Sequence, residues 1–132
     1  MVKILDASAL MAYLEKEPGY EKVQDLLSKT SESEKRLLMT TANFGEVYYL
    51  IIKDRGLEEA EKILQLLQTL PIDTVPIDWE LAKQAAVYKA TQKLGYVDCF
   101  AAALAKLRKG ELVTTDEDFK VLEKEIKIVW IG

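Results

Sequence analysis

The stretch LGYVDCFAAALAKLRKGELVTTDEDF, residues 94–119, decides how the rest of the chain is read. Asp98 follows a break at Gly95 and opens an alanine-rich segment, Cys99 to Lys109, that Gly110 closes, the pattern of a helix with an acidic N-cap and a glycine stop. Glu111 to Thr115 is short, apolar at its centre and β-branched at its end. It predicts a strand that Asp116 ends, directly before a new helical pattern at Glu117-Asp118-Phe119. One acid heads a helix and the other closes a strand. In an open α/β sheet, ligand chemistry lies outside the carboxyl ends of the strands, so other acids at that edge become the feature to look for.

Upstream, Val2 to Leu5 is a short apolar run ending at Asp6, and Ala7 to Leu14 follows as a helix. Pro18 opens a second helix, Ser28 to Lys35 reads as a polar loop, and Arg36 to Thr41 reads as the second strand. The apolar segment from Ala42 runs through Arg55 to a stop at Gly56. Its length and its start after Asn43 predict a helix despite its β-branched and aromatic content. Being apolar nearly all round, residues 47–52 are expected to be covered on both sides, by the sheet and either by a second subunit or, as a central core helix, by the rest of the chain. Leu57 to Leu70 repeats an amphipathic helical pattern that Pro71 ends. Ile72 to Ile77 is a strand whose Pro76 favours an edge, Asp78 caps a helix over Trp79 to Leu94, and Lys127 to Ile131 supplies the last strand. Five short strands separated by helices predict a mostly parallel sheet covered on both faces, with Asp6, the Asn43–Glu46 turn, Asp78, Asp98 and Asp116 along one edge, Asp78 as a cap only.

The 132 residues are enough for one domain with a core of its own. Histidine is absent and Cys99 is the single cysteine, which removes Ser-His and Cys-His nucleophiles, His-based proton transfer, disulfides within the chain and the usual zinc sets. Any catalysis must use carboxylates, and carboxylates with water suit Mg²⁺ or Mn²⁺. A formal charge of −4 argues against a surface that coats duplex DNA, while leaving room for local basic rims at Lys35-Arg36, Lys53 with Arg55, Lys89 with Lys93, and Lys106 with Arg108-Lys109. No apolar run reaches the length of a membrane span and the first residues do not form a basic-then-apolar leader, so a soluble, cytoplasmic chain is expected.

Each acid has an ordinary alternative. Asp6, Asp98 and Asp116 could each cap a helix, a contribution of about 1 kcal/mol, and Asn43-x-x-Glu46 resembles a capping box. Collected at one edge, however, several carboxylates repel, and one or more must take up a proton unless a cation sits among them. A divalent ion relieves the repulsion and would activate a water for attack on phosphorus.

The blocks Leu5-Asp6-Ala7-Ser8, Asn43-Phe44-Gly45-Glu46, Val97-Asp98-Cys99-Phe100-Ala101-Ala102-Ala103 and Val113-Thr114-Thr115-Asp116-Glu117-Asp118-Phe119 together resemble the four signature blocks of the PIN domain, closest to the VapC-like toxin ribonucleases. The resemblance spans the whole chain in register. It implies strand order 3-2-1-4-5, an acidic Mg²⁺ or Mn²⁺ site, endonucleolytic cleavage of single-stranded RNA, a homodimer and an antitoxin partner. Position by position, the family's four acids fall on Asp6, Glu46, Asp98 and Asp116, with Asp6 and Asp98 as the expected direct metal ligands. Ser8 and Thr115 match supporting hydroxyl positions, Asn43 supports the turn, and Asp118 competes with Asp116 as fourth acid. Cys99 reads as a buried small residue.

Two other readings are weighed against this one. A receiver-type phosphoacceptor would need an acid pair after the first strand, and a haloacid-dehalogenase-type phosphatase would need Asp-x-Asp where the chain has Asp6-Ala7-Ser8. A PIN-like scaffold that binds RNA or protein without cutting would have no need of all four acids.

Overall fold

Alternation along the strands sets the architecture, because successive side chains of an extended chain point to opposite faces of a sheet. In the computed structural model, which describes residues 1–31 and 35–132, the first strand β1 is Lys3–Leu5, and Ile4 and Leu5 belong to two separate cores. The same division recurs at Leu112 and Val113 in β4 (Glu111–Thr114), at Leu38 against Leu37 and Met39 in β2 (Leu37–Thr40), and at Ile128 and Val129 in β5 (Lys127–Trp130). With β3 (Ile72–Val75) these strands form one five-stranded sheet in the order β3-β2-β1-β4-β5, parallel throughout. The expected strand order holds, and β3 is an edge strand as Pro76 suggested, although the strand stops at Val75 and Pro76 and Ile77 lie beyond it.

One face of the sheet is covered by α1 (Ala7–Glu15), α2 (Tyr20–Ser31), α3 (Thr41–Arg55) and α4 (Leu57–Leu67), whose Leu10, Val23, Val47, Ile51, Ala60 and Leu67 are buried with Leu5, Met39 and Val113. The other is covered by α6 (Tyr96–Arg108), backed by α5 (Trp79–Thr91) and by a short 3₁₀ segment, η1 (Glu117–Leu122). From Cys99 to Ala105 every residue of α6 is buried. The alanines let the helix lie close against the strands, and Cys99 is a fully buried packing residue. The turn into β4 is equally tight: a Cβ on Gly110 would stand 2.6 Å from the Val2 carbonyl oxygen, so only glycine fits there.

Several boundaries differ from expectation. Ser28 to Ser31 continue α2, while residues 32–34 of the expected loop lie outside the described residues. Thr41 starts α3 instead of ending β2, α4 stops at Leu67, and α5 stops at Thr91, short of Leu94. The cap of α3 is Thr40, whose hydroxyl accepts the Asn43 N–H at 3.0 Å. Asn43 is therefore inside the first turn, and the Asn43-x-x-Glu46 capping box is not formed. The helix-opening role expected of Asp98 is likewise taken by Gly95, which places Asp98 inside the first turn of α6. No helix among the described residues is long and apolar enough to cross a membrane.

Candidate active site

Asp6 follows β1 directly, on the α6 face of the sheet, and Thr114 ends the neighbouring β4 on that same face. Their side chains meet: the Thr114 hydroxyl donates to Asp6 Oδ2 at 2.5 Å. The Ser8 hydroxyl donates to the same carboxylate, 2.8 Å from Oδ1 and 3.0 Å from Oδ2, and the Ala9 N–H donates to Oδ1 at 2.9 Å as Asp6 caps α1. Both hydroxyls are oriented in turn. Ser8 Oγ accepts the Thr115 N–H at 3.1 Å and Thr114 Oγ1 accepts the Asp116 N–H at 2.9 Å. Accepting from the backbone leaves each hydroxyl proton for Asp6, so the N–H groups of residues 115 and 116, just past β4, orient hydroxyls from α1 and β4 onto one buried acid.

Those donors favour the charged carboxylate, yet burial outweighs them and the Asp116 charge adds to it, so the pKa of Asp6 is raised from 3.8 to about 6. Of the roughly four acceptor positions of a carboxylate, three donors leave one open on Asp6.

Asp98 is built differently. Among the described residues no donor reaches its half-buried carboxylate. Burial first, then the charges of Asp116, Asp6, Glu46 and Asp118 in that order, push its pKa from 3.8 up to about 7. Glu46, half-buried in the first turns of α3, is also raised, by burial and then by Asp116. Asp116 is half-buried and accepts the Asp118 N–H at 2.9 Å, capping η1, whereas Asp118 is exposed and is the weakest of the four charges acting on Asp98. The four acids expected from the sequence thus converge electrostatically at the carboxyl edge of the central strands, and Asp118 stands at the rim.

Asn43 is not among the converging acids but behind them. It is fully buried, its side chain is bonded to the Thr40 hydroxyl, and its Nδ2 donates to the Val97 carbonyl at 3.2 Å, tying the first turn of α3 to the first turn of α6. The expected Thr115 hydroxyl is replaced by that of Thr114, Thr115 contributing only its backbone N–H. Two adjacent threonines at a strand end cannot be told apart without the register; Leu112 on the α6 face carried the missing signal, because period two then puts Thr114 beside Asp6.

The donor set is all oxygen, crowded and negative, which suits a hard divalent cation. Among the described residues no three acids stand ready as a closed ligand cage. Mg²⁺ is ordinarily held by one or two carboxylates with water and substrate phosphate oxygens, and one open position on Asp6 with an unengaged Asp98 fits that pattern.

The family model of the PIN domain matches residues 3–125. The chain belongs to the PIN domain family. This PIN domain is 33% identical over 125 residues to a VapC ribonuclease of Mycobacterium bovis, the match covering 89% of this chain and 92% of the relative. Ribonuclease VapC30 of Mycobacterium tuberculosis matches to the same extent. Among solved structures, DNA-bound VapBC from Salmonella typhimurium superposes with a TM-score of 0.81 over 100% of this PIN domain and 99% of that chain, at 16% identity, a likeness of fold.

Proposed function

We propose that this PIN domain is a divalent-metal-dependent endoribonuclease cutting single-stranded RNA, and that it is the toxin of a VapBC-type pair. The observation that carries the reading is the convergence of Asp6, Glu46 and Asp116 on one half-buried carboxylate, Asp98, in a chain whose relatives are VapC ribonucleases. Asp6 and Asp98 would hold Mg²⁺ or Mn²⁺, Asp6 from a fixed position and Asp98 as an unengaged ligand. When bound, the cation would lower the pKa of a coordinated water and offset charge on the phosphate.

The remaining steps belong to the chain. Glu46, whose proton affinity is raised by burial and by Asp116, accepts the proton of the attacking water at its carboxylate. Asp116, fixed by its cap on η1, orients that water opposite the leaving oxygen. Ser8, Thr114 and the backbone of residues 115 and 116 keep Asp6 in place.

An acidic pocket also invites a cationic side chain, so the antitoxin partner would insert Arg or Lys among the acids in place of the cation. Self-association would use α3, where Val47 and Ile51 are buried in the core while Tyr49 is 48% exposed. The deciding assay is cleavage of an unstructured RNA by purified protein with Mn²⁺ or Mg²⁺, against a chelator and against Asp98→Asn. Internal cuts that require metal and Asp98 support the reading. RNA binding without cleavage at any metal concentration would replace it with a non-catalytic scaffold.

A further inference from the structure

Gly95, at the N-cap of α6, has no conformational reason to be glycine. Its φ of −63° and ψ of 149° are open to any residue, and no side-chain cap bond is made. Ser, Thr, Asp or Asn at such a position contributes about 1 kcal/mol. Packing supplies no general reason either. A Cβ built there would meet only the Asp98 carboxylate within 4 Å, with Oδ2 at 3.2 Å and Cγ at 3.9 Å. The single thing a side chain at residue 95 would disturb is Asp98.

We propose that Gly95 is a positioning residue: its missing side chain keeps the Asp98 carboxylate unhindered and free of hydrogen-bond donors, and so available to ligate a divalent cation. The inference rests on the reading of Asp98 as a cation ligand. A methyl group at residue 95 pushes Oδ2 aside by a few tenths of an ångström. A serine does more. As an N-cap its oxygen accepts the N–H of the third helical residue, which here is Asp98, and its hydroxyl proton then lies beside the carboxylate and occupies a lone pair the cation needs. The residue types that would best stabilise the helix are thus the ones that engage the ligand.

The test uses the full chain with Mn²⁺ as probe. Mn²⁺ affinity is measured by calorimetry on chelator-stripped parent, Gly95→Ala, Gly95→Ser and Asp98→Asn, with melting in chelator and RNA cleavage followed in parallel. Gly95→Ser is expected to melt above the parent in chelator while binding Mn²⁺ on the order of tenfold more weakly, a size typical of residues that orient a metal ligand. Gly95→Ala is expected to lose affinity with a melting temperature close to the parent's, and cleavage by both should recover as Mn²⁺ is raised. Parental Mn²⁺ affinity in both Gly95 variants overturns the proposal while leaving the site intact. If the parent binds Mn²⁺ no better than Asp98→Asn, the site reading itself fails and the proposal falls with it.

Discussion

The Asp6 carboxylate and the Thr114 hydroxyl, 108 positions apart in sequence, stand 2.5 Å apart across the β1–β4 junction. Each is fully buried, and each completes the other's hydrogen bonding. Thr114→Val keeps the shape but removes the donor to Asp6 and the acceptor for the Asp116 N–H. A loss of about 1–3 kcal/mol is expected near pH 8, read by urea unfolding in chelator, with Thr114→Ser close to the parent. Equal stability of the valine variant would mean that the hydroxyl relay is not holding Asp6.

Metal-free protein should become less stable as pH rises from about 4 to about 7. Asp6 and Asp98 have pKa values raised from 3.8 to about 6 and about 7, so the folded state binds their protons more tightly than the unfolded chain does. That stabilisation is complete below the unfolded value and is lost as pH passes through each folded value. For buried Asp6 the effect is on the order of 3 kcal/mol. Added Mn²⁺ should flatten or reverse the trend, since it favours the ionised forms. A melting temperature in chelator that climbs across this window would contradict the burial of the two acids.

Asp98→Asn separates helix capping from ligation, and the position of Asp98 inside the first turn sharpens the contrast. In chelator at pH 8 the variant should be at least as stable as the parent, because one charge leaves a crowded group. At a metal concentration of about 100 times the dissociation constant the parent should gain about 2.7 kcal/mol from binding, and the variant should gain little and cut no RNA. Full cleavage and an unchanged metal shift in the variant would remove Asp98 from the site.

Asn43→Ala should uncouple α3 from α6. It removes the side-chain bonds to the Thr40 hydroxyl and to the Val97 carbonyl, while the backbone N–H of residue 43 still caps on Thr40, at a cost of about 1–3 kcal/mol in urea unfolding. Mn²⁺ affinity should fall as well, since Glu46 and Asp98 ride on the two helices. Retained affinity would limit Asn43 to a folding role.

Tyr49→Glu places a charge on the exposed side of α3, away from its buried Val47 and Ile51. Sedimentation is expected to shift from dimer to monomer with little change in melting. A parent that is already monomeric at micromolar concentration would rule out association through this helix.

How much of this could be read in advance follows from the kinds of signal involved. Strand order and the gathering of Asp6, Glu46, Asp98 and Asp116 at one edge of the sheet were legible because the four blocks fall in the order in which they occur in the PIN domain. Helix starts were not. Thr40 ends β2 and caps α3 at once, and β-branched Thr41 reads as strand, which moved the expected cap onto Asn43. Gly95-Tyr96-Val97 carries weak helix formers, so Asp98 was expected to open α6, which in fact starts two residues earlier at Tyr96 and holds Asp98 within its first turn. The polar run from Ser28 gave no apolar period to continue α2 through Ser31.

The contrast between a tethered Asp6 and an untethered Asp98 has a consequence for how this protein tolerates genetic change. Around Asp6, the residues that fix the acid are also those that seal the β1–β4 junction, so a variant library should show abundance and activity falling together at Asp6, Ser8 and Thr114. At Asp98 the two maps should part, with polar substitutions leaving abundance intact and abolishing activity. On the proposed reading, natural drift through the first turn of α6 would silence cleavage, or retune metal binding, without passing through a sequence that fails to fold.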